Sequence, residues 1–196
     1  MNEFVARPLD DSTWPDFARL VERHNGVWGG CWCMAFHSEG VGKGKTQEQN
    51  RLNKEVRVRE GRAHAALVYE GDDCVGWCQF GPTSELPRIK NRRVYESGLA
   101  ALPDWRITCF FVAKDARRRG VASAALGGAL DEIARHGGGA VESYPEAMDG
   151  RTTSAGFLYN ATASVFEHHG FERTRQIGKH HWVMMTTVPD ASSAIA

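Results

Sequence analysis

Three arginines followed by a glycine form the stretch of the chain whose residue types best suit anion binding. The arginines occupy positions 117–119, Gly120 follows them, and small Ala122 and Ser123 come soon after. Glycine lets a ligand approach the backbone closely, and guanidinium groups bind phosphate oxygens. If a helix begins at Gly120, its first N–H groups lack partners and lie at the positive end of the helix dipole. The stretch therefore predicts a phosphate-binding turn, for which a solvated basic loop is the alternative.

The residues on either side of this turn have the patterns of a strand and a helix. Residues 107–112 form a continuous apolar run of strand length, which predicts a buried strand. Apolar residues from Ala122 to Ile133 recur at helical spacing, and glycines at 137–139 follow as a stop signal. These two elements would hold the backbone of the turn in a fixed conformation.

The composition predicts a single compact domain of the α/β or α+β class. The chain has 196 residues, of which 42% are hydrophobic, and this is enough to fill one core. We expect residues 1–188 to form the domain. Residues 189–196 are expected to be a flexible C-terminal tail.

Charge and cysteine usage argue against several functional classes. Basic and acidic residues number 24 each, so no overall field favours nucleic acid, and any anion site must be local. No apolar stretch approaches the roughly 20 residues that span a bilayer, and no secretion signal is visible, so we expect a cytoplasmic protein without a membrane partner. Five cysteines predict reduced thiols. Their spacing does not supply four zinc ligands, so no metal is expected.

The first part of the chain is predicted to hold a helix, an irregular segment and a hairpin. Thr13 with Asp16 resembles a capping box in front of an apolar stripe, which indicates a helix. Residues 27–36 contain two tryptophans, two cysteines and two glycines without a period, which predicts a packed loop. Residues 64–69 and 74–80 are two short strand-like runs that predict a hairpin.

A second helix is predicted between the irregular segment and the hairpin. Thr46 has the features of its N-cap. Leu52 and Val56 are expected to face inward, while Glu55 and Arg59 are expected to pair on the outer face.

The rest of the chain is predicted to hold a long connection, three more strands and a helix. Residues 81–105 are expected to be a long connection with a turn of helix. Residues 140–144 predict a short strand. Asn160 is expected to cap a helix that ends near Gly170, and strands are expected around residues 173–175 and 182–185.

The order of these elements is similar to that of the GNAT superfamily of acetyl-CoA-dependent N-acetyltransferases. The turn Arg117-x-x-Gly120-x-Ala122 stands where that family binds pyrophosphate, and residues 160–171 resemble its later cofactor-contacting helix. The resemblance covers roughly residues 62–188. It implies a mixed, mostly antiparallel sheet flanked by helices and splayed open after the central strand, with acetyl-CoA in the cleft.

The resemblance also implies which residues contact acetyl-CoA. Backbone N–H groups of the central strand and of the turn would hold the thioester arm and the pyrophosphate. The expected contacts are Phe110, Phe111, Val112, Arg117, Arg118, Arg119, Gly120, Val121, Ala122, Ser123, Asn160 and Phe166.

The proton chemistry identifies catalytic candidates. A lysine-like amine is only about 0.04% neutral at neutral pH, so a base or a water chain must remove a proton before attack. Glu142 is the best carboxylate for this role, with an outward-facing strand residue as the alternative. Many relatives place a proton-donating tyrosine where this chain has Phe166, so Tyr159 becomes the candidate donor, with a packing role as the alternative. Cys109 could be an acylated nucleophile, but direct transfer is favoured because buried strand cysteines are usually inert.

Acceptor specificity is expected from an aromatic pocket, for which ordinary core packing is the alternative. An apolar, aromatic wall suits a small molecule better than a charged polymer. The candidate acceptor-binding residues are Trp28, Trp32, Cys33, Phe36 and Trp105.

The sequence thus predicts an N-acetyltransferase that moves an acetyl group from acetyl-CoA to a primary amine by direct attack in a ternary complex. The expected acceptor is a small molecule, with a peptide or protein as the second class, and a homodimer stays open. The alternative is a non-catalytic acyl-CoA-binding sensor or docking module, because Phe166 cannot donate a proton. A Rossmann-like nucleotide-binding protein fits poorly since G-x-G-x-x-G is absent.

Overall fold

The computed structural model describes residues 4–154, 156 and 158–192 as a layered α/β structure. The strands are β1 (Phe4–Pro8), β2 (His64–Glu70), β3 (Asp73–Pro82), β4 (Trp105–Val112), β5 (Gly139–Ser143), β6 (Glu172–Gln176) and β7 (Trp182–Val188). The helices are α1 (Trp14–Arg23), α2 (Gln47–Arg59), α3 (Arg92–Ser97), α4 (Val121–Arg135) and α5 (Ala163–His168). A short 3₁₀ turn at Lys114–Ala116 leads from β4 towards α4.

The strands form one mixed sheet that opens at its centre. Their order is β1-β2-β3-β4-β5-β7-β6, and only the pairing of β4 with β5 is parallel within the part of the chain that the structure describes. That pairing is limited to Trp105–Ile107 against Val141–Ser143, so the rest of β4 has no strand on this edge. The expected mostly antiparallel, splayed sheet is confirmed.

Helices cover both faces of the sheet. Successive strand residues point to opposite faces of the sheet, so the neighbouring β3 residues Gly76 and Trp77 show which helix packs on each face. Trp77 meets Phe17 of α1 with ring centroids 4.9 Å apart. A Cβ at Gly76 would lie 2.8 Å from Val121 at the start of α4. The absence of a side chain at Gly76 therefore lets α4 begin close to the sheet.

The hairpin, the two N-terminal helices and the packed loop are confirmed, but the inward face of α2 differs from the expectation. Leu52 and Val56 are exposed at 47% and 49%, whereas Asn50 and Lys54 are buried. Asn50 donates to the Gly30 carbonyl at 2.8 Å, so α2 turns a polar face towards the loop and the sheet. The apolar stripe therefore predicted the wrong face. The outer pair is confirmed, with Arg59 2.5 Å from Glu55.

The region around Asn160 also differs from the expectation. The N-cap of α5 is Thr162 rather than Asn160. Asn160 is buried and donates to the Tyr144 carbonyl at 3.0 Å. Strand β1 was not predicted because it is short and mostly exposed, without the alternation that marks a half-buried strand.

Four residues of the expected flexible tail, 193–196, lie outside the described residues, and its flexibility stays a prediction. Among the helices of the described part, none combines the length and apolar character needed to cross a bilayer.

Candidate active site

The turn before α4 has the backbone geometry of an anion-binding nest. Arg118 and Gly120 both have positive φ, at 59° and 92°. Left-handed residues of this kind turn successive N–H groups towards one point, and the free N–H groups of the α4 N-terminus add to them. A Cβ built on Gly120 would meet no atom within 4 Å, so the space above this residue is open. The geometry therefore suits an anion approaching the backbone.

The three arginines of this turn have different surroundings. Arg117 and Arg118 line a cavity beside the turn, and Arg117 Nε donates to the Val112 carbonyl at 3.3 Å. Arg119 instead forms an ion pair with Glu70 and lies over the ring of Phe4. Two guanidinium groups are therefore placed for a ligand, while the third joins the turn to the sheet.

The cavity beside the turn has a volume of about 250 Å³, and we name it the donor cavity. It lies between the splayed end of β4, the turn and the segment leading into α5. Its lining residues are Trp28, Phe110, Phe111, Val112, Arg117, Arg118, Ala122, Leu158, Ala161, Thr162 and Val165. Six of the predicted acetyl-CoA contacts are among them.

The remaining predicted contacts occupy other places. Phe166 is fully buried and packs edge-on against Phe110 and Phe171, so it belongs to the core, while the neighbouring Val165 faces the donor cavity. Val121 is also buried in the core. The Ser123 hydroxyl lies 2.8 Å from His169 Nε2.

The edge of β4 beyond the splay carries backbone groups that face the opening. Ala113 N donates to Val75 on the β3 side at 2.8 Å, whereas Phe110 N donates away from β3, to the Tyr159 carbonyl at 2.6 Å. N–H groups of successive strand residues alternate between the two edges. The Val112 N–H therefore points to the open edge, beside the donor cavity.

The segment containing Tyr159 fills the narrow end of this opening. Its carbonyl binds Phe110 on β4, and the adjacent Asn160 side chain binds the Tyr144 carbonyl just after β5. The diverging strands are thus bridged by two consecutive residues rather than by direct pairing. Asn160 holds Tyr159 in position, which explains why a buried amide stands there.

A second cavity, of about 370 Å³, is lined by Tyr159, and we name it the acceptor cavity after the role that we propose for it. Trp28, which is 37% exposed, lines both cavities, so they adjoin. The lining residues are Trp28, Cys31, Ala35, Phe36, Val41, Arg88, Ile89, Lys90, Cys109, Gly156 and Tyr159. Arg88 and Lys90 are the charged side chains in this set, and both are cations.

The predicted acceptor residues divide into two groups. Trp28 and Phe36 line the cavity of about 370 Å³, and their binding of the acceptor stays a prediction. Trp32 and Cys33 are buried behind its wall, where Trp32 packs against Trp14. Trp105 lies at the paired end of β4 and donates to the Gly138 carbonyl at 2.9 Å, which places it outside the lining of both cavities.

The two predicted catalytic residues also lie in different places. Tyr159 lines the acceptor cavity next to the donor cavity. Glu142 is buried on β5, where its Oε2 accepts hydrogen bonds from Tyr95 at 2.8 Å and Tyr144 at 3.0 Å. Glu142 lines neither cavity, so its position supports a role in joining α3 to the sheet rather than in catalysis.

Sequence reasoning did not find Cys31, Val41, Arg88 and Lys90 as members of the acceptor cavity. Arg88 and Lys90 come from the long connection, whose length gave a general signal of function without pointing to these residues. Within the described ranges, no group of three or more His, Cys, Asp or Glu side chains is arranged to hold a metal ion.

Comparisons with solved structures show the same fold in proteins from several bacteria. One from Corynebacterium glutamicum, described as a histone acetyltransferase HPA2 and related acetyltransferase, is 14% identical, with 96% of this chain and 97% of that chain covered and a TM-score of 0.53. An acetyltransferase of the GNAT family from Bacillus cereus is 14% identical, with coverages of 94% and 97% and a TM-score of 0.52. An N-acetyltransferase from Staphylococcus aureus is 11% identical, with coverages of 95% and 98% and a TM-score of 0.51.

The sequence itself provides the stronger assignment. A search of the curated proteins found no match. The sequence model of the acetyltransferase (GNAT) family, however, matches residues 31–158, which is more than half of the chain and includes the turn and both sides of the splay. The chain therefore belongs to the GNAT acetyltransferase family, whose members use acetyl-CoA as the acetyl donor.

Proposed function

We propose that this protein is an N-acetyltransferase that moves the acetyl group of acetyl-CoA to the primary amine of a small molecule in a ternary complex. The observation that supports this most directly is a pair of adjoining cavities that share Trp28, one beside the anion-binding turn and one lined by aromatic residues. Two bound substrates can meet there without a covalent enzyme intermediate. Meeting in one site provides the proximity that a bimolecular transfer needs.

The donor cavity fits acetyl-CoA by its chemistry. The nest at Arg118 to Gly120 and the guanidinium group of Arg117 would hold the pyrophosphate. The Val112 N–H on the open edge of β4 would bind the thioester arm, and an N–H group on this edge is suited to stabilise the oxyanion of the transfer. Acetyl-CoA supplies the activated acyl group, whose thiol leaves readily because a free thiol has a pKa of only about 8.5.

The acceptor cavity supports a small acceptor with an apolar body. Its volume of about 370 Å³ is within the range of small-molecule sites, and Trp28, Phe36 and Tyr159 give it aromatic walls. Its charged lining residues, Arg88 and Lys90, are both cations. They favour an acceptor that also carries an anionic group such as a carboxylate.

Two measurements test this function. Isothermal titration calorimetry with acetyl-CoA should show binding, and no binding at high micromolar ligand would contradict the proposal. Thiol release should then be measured with a panel of amines consisting of 2-phenylethylamine, phenylalanine, lysine, spermidine and an alanine-terminated peptide. Binding without thiol release for the whole panel would favour the acyl-CoA sensor. Preferred turnover of the peptide would show that the acceptor is a peptide or protein.

A matched pair of amines tests whether Arg88 and Lys90 select the acceptor. Phenylalanine and 2-phenylethylamine differ by one carboxylate, and exposed charge pairs contribute about 0.2–1 kcal/mol each. Since both cations can pair with the carboxylate, we expect kcat/KM to favour phenylalanine by about twofold to thirtyfold, and we expect the preference to be lost in the Arg88→Ala, Lys90→Ala double variant. Arg93→Ala, on the same connection but outside the cavity lining, is the control. An unchanged preference in the double variant would show that these cations do not select the acceptor.

A further inference from the structure

The long connection between β3 and β4 encloses another cavity, which the proposed function does not use. Its volume is about 440 Å³, and we name it the α3 cavity because residues of α3 help to line it. The rest of its lining comes from the same connection and from Arg106 of β4. Ile89 also lines the acceptor cavity, so the two cavities adjoin at this residue. A connection of this length in a compact domain is often functional, and the α3 cavity gives it a place to bind a ligand.

Arg106 supplies a buried cation to the α3 cavity. The residue is only 2% exposed, although it is part of the lining. Its Nη1 donates to the Leu86 carbonyl at 2.7 Å, and its Nη2 donates to the Tyr95 hydroxyl at 3.3 Å. Its Nε is buried without a hydrogen-bond partner among the described residues. A guanidinium group carries five N–H donors, so Arg106 retains donors for a further acceptor.

Both hydrogen-bond partners of Arg106 are neutral groups. Arginine is almost never fully buried unless it is paired, so the charge of Arg106 requires an explanation. The nearest carboxylate in this network is that of Glu142, which accepts from the Tyr95 hydroxyl at 2.8 Å. The same hydroxyl accepts from Arg106, so it stands between the two charges. Arg106 therefore has no direct counter-ion within the part of the chain that the structure describes.

A second guanidinium group increases the positive charge around Tyr95. Arg175 lies over the Tyr95 ring, with its Cζ 4.8 Å from the ring centroid. Its Nη2 is also buried without a hydrogen-bond partner among the described residues. Arg106 and Arg175 thus share the single carboxylate of Glu142 in this cluster. Because buried charges are normally paired, a further anion next to Arg106 would stabilise the cluster.

The rest of the lining favours an organic anion over an inorganic one. Arg92 and Glu96 form an ion pair at 2.6 Å, so their charges offset each other and Arg106 is the unbalanced charge of the lining. An apolar body can be buried against the apolar part of the wall, whereas inorganic phosphate cannot use that surface. The cavity volume is within the range of small-molecule sites. The apolar lining residues are Pro87, Ile89, Leu99 and Leu102.

We propose that the α3 cavity is a binding site for a small organic acid, whose carboxylate pairs with Arg106 and whose apolar body packs against the long connection. Guanidinium groups and carboxylates have matching geometry for paired hydrogen bonds. The site is distinct from the acceptor cavity, where the cations are Arg88 and Lys90. Pro87 lines the α3 cavity, so neighbouring residues of one segment serve the two sites. The proposal does not depend on acetyl transfer.

The first test measures the binding of 4-fluorophenylacetate by fluorine NMR in the absence of acetyl-CoA. We expect the acid to bind at least about tenfold more tightly than the neutral 4-fluorophenylacetamide, because hydrogen bonds to a charged group are the stronger ones. Arg106→Met should weaken the binding of the acid at least about tenfold, with circular dichroism showing that the variant folds. The Arg88→Ala, Lys90→Ala double variant should bind the acid as the wild type does.

Three outcomes of this test would overturn the proposal. No binding of the acid at millimolar concentration would mean that Arg106 has a purely structural role. Equal affinities for the acid and the amide would show that no cation recognises the carboxylate. Binding that is lost in the Arg88→Ala, Lys90→Ala variant and kept in Arg106→Met would place the acid in the acceptor cavity.

The second test uses an exposed position, so it does not require the fold to tolerate the loss of Arg106. Leu102 lines the α3 cavity and is 60% exposed. Leu102→Lys and Leu102→Asp remove the same apolar contact, so the ratio of their affinities isolates the added charge. We expect Leu102→Lys to bind 4-fluorophenylacetate about twofold to thirtyfold more tightly than Leu102→Asp.

Val94 provides the matched control for this charge reversal. It lies on α3 and is 49% exposed, but it is outside the lining of the α3 cavity. Val94→Lys and Val94→Asp should therefore bind the acid with the same affinity as the wild type. Equal affinities for the two Leu102 variants would show that the acid does not bind in the α3 cavity, and the proposal would then be wrong.

Discussion

Replacing Gly120 by aspartate should weaken the binding of acetyl-CoA at least about tenfold, which corresponds to about 1.4 kcal/mol. Gly120 has a φ of 92° at the N-cap of α4, and the space above it is open to a ligand. A side chain there would occupy the space that the proposed pyrophosphate needs, and its carboxylate would repel the phosphate oxygens. Isothermal titration calorimetry measures the effect directly.

Two further variants separate the contributions to this loss. Gly120→Ala keeps the backbone strain and part of the obstruction but adds no charge, so it should weaken binding less than Gly120→Asp. Gly137→Asp is the matched control, because Gly137 has a φ of 97° at the opposite end of α4 and equally open surroundings. It adds the same strain and charge far from the donor cavity, and its affinity for acetyl-CoA should match that of the wild type. Equal affinities for Gly120→Asp and Gly137→Asp would remove the turn from the proposed site.

The turn could be predicted from sequence because its signals are local. A strand-like run, a glycine at a helix start and basic residues all lie within residues 107–133, and the structure has β4 and α4 there. The individual roles of the three arginines could not be predicted, because they depend on contacts that form only in the folded structure. Arg119 pairs with Glu70, which lies at the end of β2, and no local pattern indicates that contact.

The acceptor cavity and the catalytic candidates were harder to predict because they combine distant segments. The loop that supplies Trp28 and the connection that supplies Lys90 meet only through the fold. Glu142 was favoured because the sequence does not reveal Tyr95 as its partner. Likewise, periodicity on α2 favoured an apolar inner face, because nothing local indicates that Lys54 finds Gln79 and His37 inside.

The buried polar face of α2 should also make the fold sensitive to acid through His37. In the folded protein burial and nearby Lys54 and Arg57 lower the pKa of His37 to about 2, while an unfolded histidine has a pKa of about 6.5. Below about pH 6.5 the unfolded chain therefore takes up a proton that the folded protein does not. The free energy of unfolding should fall as the pH falls, by about 1.4 kcal/mol per pH unit from this residue alone.

Urea denaturation at a series of pH values measures this contribution. Between about pH 6.5 and 4.5, the wild type should lose about 2.3 kcal/mol more than His37→Gln, whose side chain does not titrate. The quantity to compare is the change in the free energy of unfolding with pH. Both proteins share the carboxylates and the other histidines, so the contributions of these groups cancel. The comparison also remains valid if the variant is less stable at every pH. Equal slopes would show that the pKa of His37 does not differ between the folded and unfolded states. A steeper wild-type slope would show that the folded protein keeps His37 neutral where it contacts Lys54 of α2.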